Sequence, residues 1–307
     1  MPKKMSRLAA FILCATVLLF SCQQDRESPG AEPDQLIGQV QLPGLDGEKP
    51  ETNDQPPPGS SSEQVQDSSC ALPSVPDQLD TELPDFSKYR DVEKKKQHFF
   101  DFLRPIVRAE NRKVLKERIV VLAGWKRFEQ GKELSAKRRA KLNALARKYR
   151  VDAEHADGKR FFRQLLMHVD KVPVPLALVQ AAKESGWGTS YFARKGNNLF
   201  GQWCFSQGCG LVPRRRPQGA NYEVQSFEDV SESVQSYIHN LNSNPAYEEL
   251  RKLRYRMRLA GKDPDAQLMA EGLENYSQVG RQYIEAVQKM IRGNEKFLGI
   301  HGSIAAS

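Results

Sequence analysis

The stretch AAKESGWGTSYFARKGNNLFG, residues 181–201, sets one glutamate, Glu184, between small helix formers and a cluster of glycine and tryptophan. Residues 173–186 read as a helix with Pro173 or Pro175 in its first turn and Gly186 at its end, the usual asymmetry of proline at starts and glycine at stops. Helical spacing turns Leu178, Val179 and Ala182 toward a core. It lays Glu184 over Gln180 and Ala181, with Ala177 a further turn back, and these small neighbours leave room for a ligand. The peptide dipoles at a helix C-terminus and the apolar bulk of Trp187 both disfavour an ionised carboxylate and raise its pKa. A glutamate held protonated near neutral pH can hand a proton to a glycosidic oxygen, the step that starts most glycoside hydrolysis. One glutamate by itself still favours the plainer account, a surface charge at a frayed helix end.

Other side chains nearby offer chemistry of their own. Cys204 and Cys209 flank the loop Phe205-Ser206-Gln207-Gly208, and in an exported chain a local disulfide is expected. Zinc would need two further ligands; the nearest histidine is His239 and there is no second cysteine pair, so no metal site is expected. No glycine-rich phosphate loop is present, and no cofactor is expected. Arg214, Arg215 and Arg216 read either as solvated charge or as a clamp for carboxylates. Trp187 and Trp203 read either as core or as faces on which sugars stack.

The elements that must position these residues follow from patterning. With 307 residues, 39% apolar and 27% charged, the chain can bury a core and holds about two domains at most. Lys3, Lys4 and Arg7 precede an apolar run from Leu8 to Phe20, too short for a comfortable membrane span and flanked like an export signal. Leu19-Phe20-Ser21-Cys22 resembles the lipobox of bacterial lipoproteins, in which the cysteine is acylated and becomes the mature N-terminus. Gln23 follows in place of aspartate, which by that resemblance implies a periplasmic protein anchored to the outer membrane. Cys14 would leave with the signal, and Cys70 stands alone. Residues 22–85 form an acidic, Pro/Gly/Ser-rich stretch with no helical or strand period and are expected to be a disordered tether. From Gln23 to Asp85 there are 14 acidic and 2 basic residues; from Phe86 onward there are 41 basic and 24 acidic. A free coil of that length spans roughly 40–50 Å.

From Phe86 to about Val172 the period becomes helical: Phe99, Phe102, Leu103, Ile106; Val114, Leu115, Ile119, Leu122, Trp125; Leu142, Leu145, Ala146, Tyr149. These are basic amphipathic helices, expected as a region, 86–172, packed on a catalytic domain over 173–301. The basic charge comes without zinc-finger spacing, an RNP-like strand or a phosphate loop, so no nucleic-acid partner is expected. Anionic groups of the envelope suit the charge better. A monomer is expected.

The blocks ESGWGTS and NNLFG, with NLFGQWCFSQGCGLVPRRR (198–216), SVQSYIHNLNSNPAY (233–247) and LENYSQVGRQYIEAV (273–287), resemble the Bax-type proteins among the flagellar and autolysin-type glucosaminidases. The resemblance implies a mainly α, lysozyme-like glucosaminidase domain with a short β-hairpin lobe, acting on the glycan strands of peptidoglycan as an endo-β-N-acetylglucosaminidase. It implies Glu184 as the acid, Asn198, Phe200 and Gly201 as shapers of the cleft, and Tyr276 as a cleft tyrosine that assists the reacting sugar. It also implies a second carboxylate on a hairpin about forty residues past the acid, where the only carboxylate is Glu223, off the family's usual position. Without that partner, the acetamido oxygen of the sugar can serve as nucleophile. A lytic transglycosylase, against which NNLFG argues, and a wall-binding lipoprotein without turnover are the alternatives.

Overall fold

The computed structural model describes residues 42–44, 79–152 and 158–299; the export signal, Cys14, the lipobox with Cys22, Cys70 and most of the expected tether lie outside the described residues. The first two spaced sets, Phe99 to Ile106 and Val114 to Trp125, fall on one long helix, and the third, Leu142 to Tyr149, falls on a separate one and its C-cap. Helix α1 runs Val92–Glu129, and Asp91 caps it by accepting the Glu93 and Lys94 amides. It passes through Pro105 without ending. A proline in a helix interior costs about 3 kcal/mol, whereas each fully buried large apolar side chain contributes about 1.5–3 kcal/mol. Phe99, Phe100, Leu103, Ile106 and Val107, all 0% exposed around that proline, outweigh it.

Helix α2 (Ala136–Lys148) and helix α3 (Lys159–His168) pack against α1. The chain then enters α4 (Val174–Ser185) through a segment gripped from several sides. Arg118 of α1 donates to the carbonyls of Leu166 (2.6 Å) and Val169 (2.8 Å), and Asn111 exchanges two hydrogen bonds with Val172. Helices α6 (Val230–Ser243) and α7 (Glu248–Leu259) close on the same segment: Asn242 and Arg254 both donate to the Asp170 carbonyl. The Asp170 carboxylate, 1% exposed, meets Arg258 at 2.9 Å and Arg118 at 3.5 Å.

Helix α4 has α1 on one side and, on the other, α8 (Ala266–Ala270) and α9 (Arg281–Arg292). The expectation of an open face beside Ala177 and Ala181 is corrected: every residue from Leu176 to Ala182 is buried, because alanine lets neighbouring helices approach closely. Residues 86–172 and 173–299 share this one core. A small lobe follows α5 (Tyr191–Gly196): β1 (Trp203–Cys204), β2 (Gly210–Leu211) and β3 (Glu223–Gln225) form an antiparallel sheet in the order β1-β3-β2. Gly210 lies so close to β3 that a Cβ there would sit 2.0 Å from the Val224 carbonyl oxygen. Helix α10 (Glu295–Leu298) ends the described chain, and no described helix is long and apolar enough to cross a membrane. The architecture is mainly helical with one small β lobe.

Candidate active site

Glu184 stands in the last turn of α4, and the residues after it explain why the helix stops there. Gly186, Trp187 and Gly188 take φ values of 58°, 61° and 73°, three left-handed residues in succession. Glycine adopts that region without strain and tryptophan does not, so Trp187 must be held there by packing. Its ring lies edge-on to Phe100 at 5.2 Å and Phe99 at 5.7 Å. Gly188 has no room for a side chain, since a Cβ would meet the Phe86 ring at 2.7 Å. The Ser185 hydroxyl accepts the Gly188 amide at 2.8 Å and donates to the Ala181 carbonyl at 2.6 Å, closing the turn. Trp187 is therefore a clamp on the end of the acid's helix, not a face for sugars.

Glu184 is half-buried, and its Oε1 accepts the Tyr283 hydroxyl at 2.8 Å. Gln180, one turn back on α4 and 0% exposed, donates to the same Tyr283 oxygen at 3.0 Å and accepts the Tyr237 hydroxyl at 2.6 Å. A relay thus runs Tyr237, Gln180, Tyr283, Glu184, drawn from α6, α4 and α9. Burial raises the pKa of Glu184 above the ordinary glutamate value; the Tyr283 hydrogen bond and the Lys183 charge oppose it without reversing it. Burial likewise keeps the tyrosines protonated, so their hydroxyls remain donors.

A cavity of about 570 Å³ opens beside this relay. Phe200, Gly201, Trp203, Tyr237, Tyr247 and Tyr276 line it, together with amides such as Asn240 and Asn275, and among the described residues no carboxylate does. Glu184 does not line it but connects to its wall through two tyrosine rings. Tyr283, its hydrogen-bond partner, stacks on Tyr276 at 5.1 Å, and Tyr276 forms part of the cavity wall. Tyr276 donates to the Phe200 carbonyl at 3.3 Å, and Phe200 stacks flat on Tyr237 at 3.9 Å. Trp203, 42% exposed, stacks on Tyr222 at 4.5 Å and presents an aromatic face at the cavity rim.

Several expectations need correction. Asn198 is buried and touches no open space: its amide nitrogen donates to the carbonyls of Gln202 and Gln225, and its oxygen accepts the Phe200 and Gln202 amides. It folds the loop that presents Phe200 and Gly201. Glu223 is not a free second carboxylate. Its two oxygens accept the amides of Gly208 (3.1 Å) and Gly210 (2.8 Å), which hold its carboxyl below the usual range. Cys204 and Cys209 are joined in a disulfide, so Glu223 fastens the disulfide loop to β3. The group Cys204, Cys209 and Glu223 therefore offers neither free thiolates nor an unoccupied carboxylate to a metal. The arginine triplet splays apart: Arg214 sits over the Tyr191 ring, Arg216 donates to the Tyr222 carbonyl, Arg215 is exposed, and none lines the cavity.

Gln180, Tyr237, Tyr247 and Tyr283 were missed as site residues. Gln180 carried a signal, as a polar residue in the apolar run LALVQAA one turn before Glu184. The tyrosines carried none beyond lying in the quoted blocks.

If Glu223 is a fastener, Glu223→Gln should cost far less than the roughly 10²-fold or more that loss of a general base brings. The same variant should be cut faster by protease within residues 205–210. A 10²-fold loss of turnover with an intact loop would contradict this assignment.

A family model described as mannosyl-glycoprotein endo-beta-N-acetylglucosaminidase, the glucosaminidase domain, matches residues 161–296. The chain is 34% identical over 219 residues to Protein bax of Escherichia coli (strain K12), a match that covers 71% of this chain and 77% of that protein. No solved structure matches.

Proposed function

From its membership of the Bax-type glucosaminidase-domain family, a glycoside hydrolase-type family to which this chain belongs, we infer that it cuts the glycan strand of peptidoglycan after N-acetylglucosamine with Glu184 as general acid. The observation that carries this reading is the Glu184 carboxyl itself: half-buried, pKa raised by burial, and oriented by Tyr283, whose ring stacks on Tyr276 in the wall of a cavity lined by aromatic rings and amides. Glu184 gives its proton to the bridging oxygen as the bond to the sugar's anomeric carbon breaks.

Because Glu223 is committed to backbone amides, the route we favour uses the 2-acetamido oxygen of the N-acetylglucosamine unit to attack its own anomeric carbon, with water opening the resulting ring. In this proposal Tyr276, on the cavity wall, is the residue to assist the reacting sugar, and Trp203 with Tyr222 offers a platform for a neighbouring one. Acylation at Cys22 would hold the domain on the periplasmic side of the outer membrane, within reach of the wall.

Tyr283 gives this mechanism a pH signature. Its hydroxyl favours the ionised form of Glu184, so Tyr283→Phe raises the glutamate's pKa further and moves the alkaline limb of kcat/KM to higher pH while lowering its height. A limb that stays fixed or moves down would remove Glu184 as the titrating acid.

The commitment of Glu223 also favours a second reading, a wall-binding lipoprotein without turnover. Mass spectrometry of digested peptidoglycan separates the two. Reducing N-acetylglucosamine ends support hydrolysis, 1,6-anhydro-muramic ends indicate a transglycosylase, and intact glycan indicates a binder.

A further inference from the structure

Leu42, Pro43 and Gly44 belong to an acidic stretch whose composition reads as coil, yet they lie on the folded domain. Pro43 is buried and Leu42 packs against the main core. The Tyr255 hydroxyl of α7 donates to the Pro43 carbonyl, and the Arg163 guanidinium of α3 donates to the Gly44 carbonyl at 3.4 Å. Both donors are built into the fold, Tyr255 being 1% and Arg163 8% exposed, and the helices that carry them pack on each other. Two successive carbonyls read by two fixed donors, with a proline that has no amide to leave unpaired against the apolar surface, is recognition of an extended backbone. Charge points the same way: the stretch from Gln23 to Asp85 carries 14 acidic residues against 2 basic, and residues 86–307 carry 41 basic against 24 acidic.

We propose that Leu42-Pro43-Gly44 is a docking motif and that the face of α3 and α7 bearing Arg163 and Tyr255 is its receptor within the same chain. The domain then holds the chain at two places, Leu42-Pro43-Gly44 and Thr81, whose carbonyl accepts the Val230 amide. Residues 22–41 are then the part of the sequence between Cys22 and the docking motif. With the lipid at Cys22, which rests on the anchoring proposed above, the span from membrane to domain shrinks from roughly 40–50 Å to roughly 25 Å. The motif thereby sets how deep into the wall the cleft can reach.

The docking is testable apart from catalysis and anchoring. In the full chain, with Cys14, Cys22 and Cys70 replaced by serine, spin labels go on Gly44→Cys, where a Cβ meets nothing within 4 Å, and on Lys159→Cys, an exposed position of α3. Pulsed dipolar spectroscopy should give one narrow distance distribution. Leu42→Asp should replace it with the broad distribution of a free coil while the helical circular dichroism stays unchanged, and Tyr255→Phe should shift part of the population the same way. A broad distribution in the parent, or a narrow one that Leu42→Asp leaves intact, overturns the proposal.

Discussion

Replacing Glu184 with glutamine is expected to lower turnover on peptidoglycan by on the order of 10²–10⁴-fold while leaving the fold and wall binding in place. The change removes one proton and keeps the shape. Oε1 of Glu184 only accepts from Tyr283, and an amide oxygen accepts as well, so the relay through Gln180 and Tyr237 survives. The cavity-lining residues Phe200, Trp203 and Tyr276 are untouched. A variant with half the parental rate would remove Glu184 from the mechanism. A tight-binding, inactive variant is the expected result.

The second large effect falls on stability. Asp170 is buried among the guanidinium groups of Arg118, Arg254 and Arg258; burial alone would raise its pKa, and the three positive charges pull it well below the usual carboxylate range. Removing one partner of a buried charge network leaves the others uncompensated, at a cost of about 3–5 kcal/mol. Asp170→Ala should therefore lower Tm by roughly 10 °C or more. A loss under about 2 °C would mean that the arginines are held by their backbone carbonyls alone.

The sign of the pH dependence follows from the same groups. A carboxylate with a depressed folded-state pKa contributes stability that is present above its unfolded value and lost as pH falls through the folded one. His168 and His239 act earlier, because burial, with Arg251 beside His168 and Lys148 beside His239, pushes their pKa values down to about 3 and about 4. Both are neutral in the fold and charge on unfolding. Stability is thus complete above their unfolded value, near 6.5, and declines as pH drops toward 4, with Asp170 adding its loss below that. Urea midpoints measured from pH 7 to pH 4 should fall steadily, and flat midpoints would contradict the assignment. Acid that favours a protonated Glu184 thus works against the fold that presents it.

The helical character, the acid's helix and its stop were legible in the sequence because they rest on local rules. Proline at the start and glycine at the end place α4 within a residue or so, and the spacing of three and four marks the buried faces of α1. What could not be read depends on partners distant in the chain. Tyr283 reaches Glu184 across 99 positions, and nothing in the order of residues announces that contact. Glu223 is a candidate only because the resemblance implies a carboxylate on that hairpin, yet its partners are the amides of Gly208 and Gly210, which every sequence supplies and none advertises. Trp187 reads either as core or as a sugar platform, and the rings of Phe99 and Phe100 against it favour the first. The three arginines shared one clamp on paper, but two turned to separate partners, Tyr191 and the Tyr222 carbonyl.

The relay fixes the rotamer of Glu184 and burial raises its pKa against the opposing Tyr283 hydrogen bond, and these two properties make it an acid poised for donation. Tyrosine supplies a rigid donor there without adding charge, so the carboxyl is oriented while burial sets the direction of its shift. Titration of the Glu184 side-chain carboxyl by carbon-13 NMR, identified by the resonance missing from Glu184→Gln, tests this most directly. The account predicts a midpoint clearly above the ordinary glutamate value of 4.5. A midpoint at or below that value, with the carboxyl freely hydrated, would contradict it.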